Sequence, residues 1–211
     1  MHSIDVIKTL RDFGDNKVAV MVDKNGKLQI IDAHFQNGIN MFEFESFDDN
    51  MENTNLLRIS LDDINSKRLV LNLILTRNCQ FGKNLSTNAN NFAEFFLNEK
   101  SFNCIYGIFG PGRYENESVG NLTQAELDAK VRKFYARNDF EVLSQHNFLE
   151  NPEKYPFLTK EDFEDGDFLL KLVAKEINKE KKDFGFKQIN GVFVKDNVPE
   201  QIMEEIDCMQ M

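Results

Sequence analysis

A chain of 211 residues, 41% hydrophobic and 28% charged, has the make-up of an ordinary globular protein with room for one generous core. Its 35 acidic residues outnumber 25 basic ones, giving a net charge of −10 that argues against nucleic acid as a partner; it serves solubility first and is compatible with a cationic ligand such as an amine. Three Cys (Cys79, Cys104, Cys208) without a Cys-x-x-Cys spacing suit reduced thiols in the cytoplasm, three His (His2, His34, His146) argue against a multi-His metal centre, and neither a secretory leader nor a membrane-spanning apolar run is expected.

Residues 3–13 place Ile4, Ile7, Leu10 and Phe13 at helical spacing behind a Ser3 cap, which predicts a short helix. Val18–Val22 and Leu28–Ile31 flank Asp23-Lys24-Asn25-Gly26, where Asn-Gly supplies the positive φ angles of a tight hairpin turn. Met41–Phe47 reads as a strand, with Phe42, Phe44 and Phe47 expected on a buried face and Glu43 and Glu45 on the other. Leu56–Leu61 is a further strand. Leu69–Leu75 is apolar apart from Asn72, the pattern of a central strand covered on both faces.

A turn, Arg77–Asn84, then leads to a helix starting near Leu85–Thr87, with Ala89, Phe92, Ala93 and Phe96 on one stripe. Strand, glycine turn and helix aim free backbone N–H groups at one point, the geometry that holds a phosphate. Gly82 permits close approach, Lys83 and Arg77 add charge, and Ser86 or Thr87 caps the helix. An ordinary turn fits the same residues, and the Walker and dinucleotide glycine patterns are both absent.

Asn103–Phe109 predicts a parallel strand, and Thr123-x-x-Glu126 is a capping box opening a helix through Arg137. Leu127, Val131 and Phe134 form its buried stripe, Tyr135 sits beside them, and Asn138 is expected to stop the helix in the left-handed conformation. Phe140–Leu143 resumes a strand. Phe148–Phe163 reads as an ordered loop, Asp167–Lys181 as an amphipathic helix carrying Phe168, Leu169, Leu172, Val173 and Ile177, and Phe186–Val194 as a strand or hairpin around Asn190-Gly191. A short helix lies in 199–211. Without repeat or linker, a single domain is expected, with a core over about 17–146 and an extension over about 147–211.

The segment FYARNDFEVL, Phe134–Leu143, resembles the FY-x-x-x-GF-E signature of the GNAT family of N-acetyltransferases, and the elements over about 56–143 resemble that family's acetyl-CoA-binding half. In the loop CQFGKN, Cys79 stands where the family has Gln or Arg, Asn84 replaces a second small residue, and Asp139 replaces the Gly before Phe140; Gln80 lies one position along. The resemblance implies an α/β fold: a mostly antiparallel twisted sheet with a splayed central parallel pair and flanking helices. It also implies that Gly82, Lys83, Asn84, Leu85 and Ser86, with Gln80, hold the pyrophosphate of acetyl-CoA. The backbone over Leu73–Leu75 would pair with pantetheine, and Tyr135 would protonate the departing thiolate.

Glu43 and Glu45 are the first candidates for the general base, with His34 and His146 behind them; the two Glu read more readily as solvated strand-face residues, and the two His as structural or exposed ones. The implied activity is acetyl transfer to a primary amine, on a small molecule or a protein, by direct attack in a ternary complex. The loop departures and the C-terminal extension leave open a second reading, a CoA-binding or protein-interaction module without catalysis, and a homodimer surface on the extension. An unrelated α/β enzyme is a third.

Overall fold

The computed structural model describes residues 3–12, 16–22, 26–47, 53–62, 67–76, 85–109, 123–165, 168–169, 171–177 and 183–209. In chain order the elements are α1 (Ser3–Arg11), β1 (Lys17–Val22), β2 (Leu28–Gln36), β3 (Met41–Phe47), β4 (Asn53–Leu61), β5 (Arg68–Thr76) and α2 (Leu85–Glu99). There follow β6 (Cys104–Ile108), α3 (Gln124–Arg137), β7 (Glu141–Ser144), α4 (Gln145–Glu150), β8 (Glu164–Asp165), β9 (Phe168–Leu169), β10 (Lys171–Glu176), β11 (Phe186–Ile189), β12 (Val192–Lys195) and α5 (Glu200–Asp207). One mixed sheet runs in the order β11-β12-β1-β2-β3-β4-β5-β6-β10-β7, with β8 and β9 paired apart from it. The sheet is antiparallel except at β1–β12 and β5–β6. This mixed sheet flanked by helices, with one central parallel pair, is the expected fold class.

Local chemistry accounts for most of the elements. The first hairpin closes as Val22 pairs with Leu28, and Gly26 sits at φ 77°; Asp23, Lys24 and Asn25 lie outside the described residues. The last hairpin turns on Asn190 and Gly191 at φ 46° and 78°, the pair of positive angles that a type I′ turn demands. The Thr123 hydroxyl accepts from the Glu126 N–H, while the Glu126 carboxylate accepts from the Thr123 N–H at 2.8 Å. That closes the capping box on α3.

Alternating side chains divide the core into three clusters. On one face Phe42 and Phe44, Leu57 and Ile59, and Leu69 and Leu71 pack under Phe92, Ala93 and Leu97 of α2. On the opposite face, at one end, Val18, Val20 and Ile30 meet α1 and α5 through Val6, Ile7, Leu10 and Ile206. At the other end of that face, Tyr106, Leu143 and Leu172 are covered by Phe148, Tyr155, Leu158 and Phe163. Between these two ends lies a band of polar side chains on β2, β3 and β4. No described helix is long and apolar enough to cross a membrane.

Four expectations are corrected. Lys171–Glu176 is a strand and not part of a helix: β10 pairs with β6 on one side and β7 on the other. Its Leu172 and Ala174 are buried on one face and its Val173 on the other, so the middle of the strand is apolar on both faces and loses the period-2 signal. Phe47 packs in the α1–α5 cluster, not beside Phe42 and Phe44, because alternation puts odd-numbered residues of β3 on that face. The left-handed residue after α3 is Asp139 at φ 61°, not Asn138, which caps the helix at φ −107°. The stretch read as a loop, Phe148–Phe163, contains the second half of α4 and two 3-10 turns, Pro152–Lys154 and Lys160–Phe163.

Candidate functional site

Strands β5 and β6 pair in parallel at Arg68–Cys104, Leu69–Ile105 and Val70–Tyr106. The ladder goes no further, although β5 continues to Thr76 and β6 to Ile108. A bulge explains the parting. On β4, the consecutive residues Arg58 and Ile59 face Leu73 and Leu71, so Asn72 is an extra residue in β5. A bulge bends its strand and increases its twist, here just past the last β5–β6 pair. The single polar residue in the apolar run is this bulge residue, and it is exposed.

Gly107 sits at the vertex. A Cβ there would fall 2.7 Å from the Leu71 carbonyl oxygen, so only glycine lets the two backbones come this close before they separate. Beyond it, Ile108 pairs outward with Leu172 of β10. The β5 segment holding Leu73 and Leu75 therefore extends past the vertex, paired to β4 through Arg58 and Leu56. Gln80, Gly82, Lys83 and Asn84 lie outside the described residues. Leu85 and Ser86 are the first two residues of α2, whose helical backbone begins where expected and leaves its first N–H groups without intrahelical partners.

Tyr135 lies on the last turn of α3, half-buried. Its ring centre is 6.0 Å from Phe109, which follows β6, and 5.6 Å from Phe140, which precedes β7. Its hydroxyl has no hydrogen-bond partner among the described residues. Burial raises its pKa, so the phenol holds its proton at neutral pH. Cys104 is buried, and burial pushes its thiol up to about 12, which suits a packing role.

The carboxylates singled out on β3 belong to the polar band on the face away from α2. Register places His34 beside Glu43, Glu43 beside Arg58, and Arg58 beside Leu73; the neighbouring row runs Asp32, Glu45, Leu56, Leu75. Glu43 is 5% exposed. One of its oxygens accepts from Arg58, and the other from Gln36 and from His34 Nε2, the last at 3.1 Å. Glu45 is half-exposed. Asp32 is buried, and one of its oxygens accepts from Asn16 at 2.9 Å. Burial raises the Asp32 pKa to about 6; His34 opposes the rise and Glu45 adds to it.

Sequence reasoning passed over Asp32, Gly107 and Arg58. Asp32 and His34 alternate on one strand and Glu45 lies on the next, so only the β2–β3 register brings the three together. For Gly107 the signal was present, as a glycine inside an apolar strand.

No protein-family model matches the sequence, and no curated relative matches it. Among solved structures, an acetyltransferase of the GNAT family from Staphylococcus aureus Mu50 is 8% identical, with a TM-score of 0.44 over 67% of this chain and 70% of that one. A spermidine N-acetyltransferase variant from Vibrio cholerae is 14% identical, with a TM-score of 0.43 over 68% of each chain. A nourseothricin acetyltransferase is 13% identical, with a TM-score of 0.42 over 78% of this chain and 85% of that one.

Proposed function

We propose that the chain is an acetyl-CoA-dependent N-acetyltransferase acting on a primary amine of a small molecule or a protein, by direct attack in a ternary complex. What carries the reading is the parting of β5 and β6 at the Asn72 bulge and Gly107, followed by α2. A parted parallel pair exposes backbone N–H and C=O groups on its inner edges, and an extended amide-bearing arm such as pantetheine pairs with such edges as a strand does.

In this proposal the Leu73–Leu75 backbone takes pantetheine. The pyrophosphate lies at the start of α2, on Leu85 and Ser86 with Gln80, Gly82, Lys83 and Asn84, where free N–H groups and the helix dipole favour negative charge. The acceptor nitrogen attacks the thioester carbonyl carbon, and the carbon–sulfur bond breaks. The Tyr135 phenol gives its proton to the sulfur. A phenol is a weaker acid than a thiol by about 1.5 pKa units, so transfer has to accompany charge building on a sulfur that the same pocket desolvates.

Glu43, with both oxygens engaged, sets the charge of the polar band. Glu45, with solvent access, is the carboxylate proposed to receive the ammonium proton through water, since β3 lies two strand spacings, about 10 Å, from β5. The net acidity of the chain suits a cationic acceptor.

Calorimetric titration of acetyl-CoA into the purified chain tests the reading, and no binding at millimolar cofactor overturns it. If cofactor binds, Tyr135→Phe should lower turnover by about 10²–10⁴-fold while cofactor affinity holds. Unchanged turnover removes Tyr135 from the role. Tight CoA binding without turnover on any of a panel of amines would favour the non-catalytic module, a reading supported by Cys79, Asn84 and Asp139 at positions where the family signature differs.

A further inference from the structure

We propose that Asp32, His34 and Glu45 form a binding site for one divalent first-row metal ion, with Zn²⁺ as the reference ion. Each residue offers one ligand atom, and the three atoms lie within 4.8 Å of one another. His34 Nδ1 stands 3.5 Å from Asp32 Oδ2. Ligand atoms bonded to a tetrahedral Zn²⁺ at about 2.0–2.1 Å are themselves about 3.3 Å apart, so small side-chain rotations suffice to close the set. One imidazole and two carboxylates form a mixed nitrogen–oxygen set, suited to Zn²⁺ or Mn²⁺ and unlike the all-oxygen cages of Ca²⁺.

Two buried atoms carry the inference further. Asp32 is 4% exposed, yet among the described residues its Oδ1 has no hydrogen-bond partner, and neither has His34 Nδ1. Leaving such groups unsatisfied is costly, and buried charge calls for a counter-charge. The surrounding contacts are those of a ligand-orienting shell. His34 Nε2 meets Glu43 at 3.1 Å; donating there leaves the Nδ1 lone pair facing Asp32 and Glu45. Glu43 is itself held by Arg58 and Gln36, and Asp32 Oδ2, the oxygen 3.5 Å from His34 Nδ1, also accepts from Asn16, which fixes the carboxylate in place. His34, about one quarter exposed, and the half-exposed Glu45 leave an entry route from solvent. Three protein ligands leave at least one position for water.

Binding at this site requires no acetyl transfer, so the inference stands or falls apart from the proposed activity. If both hold, a metal on Glu45 occupies the carboxylate that would receive the amine proton, and the ion inhibits.

The test uses the whole chain stripped with a chelator. Calorimetry with Zn²⁺ should give one ion per chain at micromolar concentration. Asp32→Asn and Glu45→Gln should each weaken binding by about 100-fold or more, and Glu43→Gln, which leaves the ligands in place, by about 10–100-fold. Cys208→Ser should change nothing. Nitrogen-15 spectra of the histidines should show His34 Nδ1 unprotonated at neutral pH and shifted on adding Zn²⁺. No uptake at millimolar Zn²⁺ overturns the proposal, as does uptake unaffected by Glu45→Gln or a doubly protonated His34 that ignores the ion. Should Asp32→Asn fail to fold, the half-exposed Glu45 variant and the His34 spectrum decide the question.

Discussion

Lys175 of β10 and Glu94 of α2 form a salt bridge inside the protein, with side chains only 6% and 5% exposed. The same ammonium donates to the Asn138 carbonyl at 3.0 Å and lies 5.5 Å from the centre of the Phe140 ring. One cation thus ties α2, the end of α3 and strand β10 together. Removing one partner strands the other charge, so Glu94→Ala should cost about 3–5 kcal/mol in urea denaturation. The double change Glu94→Leu with Lys175→Met should recover most of that loss, because well-packed apolar replacements avoid the desolvation penalty.

Gly107→Ala places a methyl group 2.7 Å from a backbone oxygen that cannot swing away. Strands β5 and β6 must separate near Leu71 to admit it. Thermal unfolding should register a loss of about 1–3 kcal/mol, the usual cost of overpacking. If the parted strands hold acetyl-CoA, cofactor affinity in the folded variant should fall too, while Tyr135 is untouched.

Asp139 adopts φ 61°, where an L side chain costs about 1–2 kcal/mol and glycine almost nothing. Glycine also loosens the unfolded chain, which takes back about 0.4–1 kcal/mol. Asp139→Gly should therefore be about 0.5–1 kcal/mol more stable than Asp139→Ala, which removes the same side chain, seen as a higher denaturation midpoint at unchanged slope.

Asp32 has its pKa raised to about 6 in the fold, from 3.8. The folded state thus holds the proton more tightly than the unfolded state between about pH 4 and pH 6. Stability from this group is complete below that window and is lost as pH rises through it. With a chelator present, the stability of Asp32→Asn relative to the unmutated chain should improve by roughly 1–3 kcal/mol between pH 4 and pH 7. A constant difference across that range would contradict the raised pKa.

Where a residue's role is settled within a few neighbours, it could be read from the sequence. Thr123 and Glu126 announced their cap, and Asn190-Gly191 announced its turn. Leu69–Leu75 was legible as a central strand, and Asn72 as its interruption, though not as the bulge that turns β5 away from β6. The strand β10 was unreadable for a reason of depth: buried on both faces, its Leu172, Val173 and Ala174 satisfy a helical stripe as well as a strand. The Asp32–His34–Glu45 group depends on partners brought together by register, which no local pattern encodes. The loop Gln80–Asn84 stands as a reading from resemblance, since it lies outside the described residues.

Strand β1 is bordered on its outer side by β12, with Ala19 facing Phe193 and Val20 facing Val194. A ribosome delivers these partners almost a whole chain-length apart. Until about residue 195 has emerged, β1 offers a bare strand edge, and Val18 and Val20 lack the cover of Val192 and Val194. Strand β7 likewise waits for β10 to slot in between it and β6. Completion of the sheet is therefore a late event in synthesis, and until then the nascent chain exposes strand edges and apolar side chains that the finished fold covers.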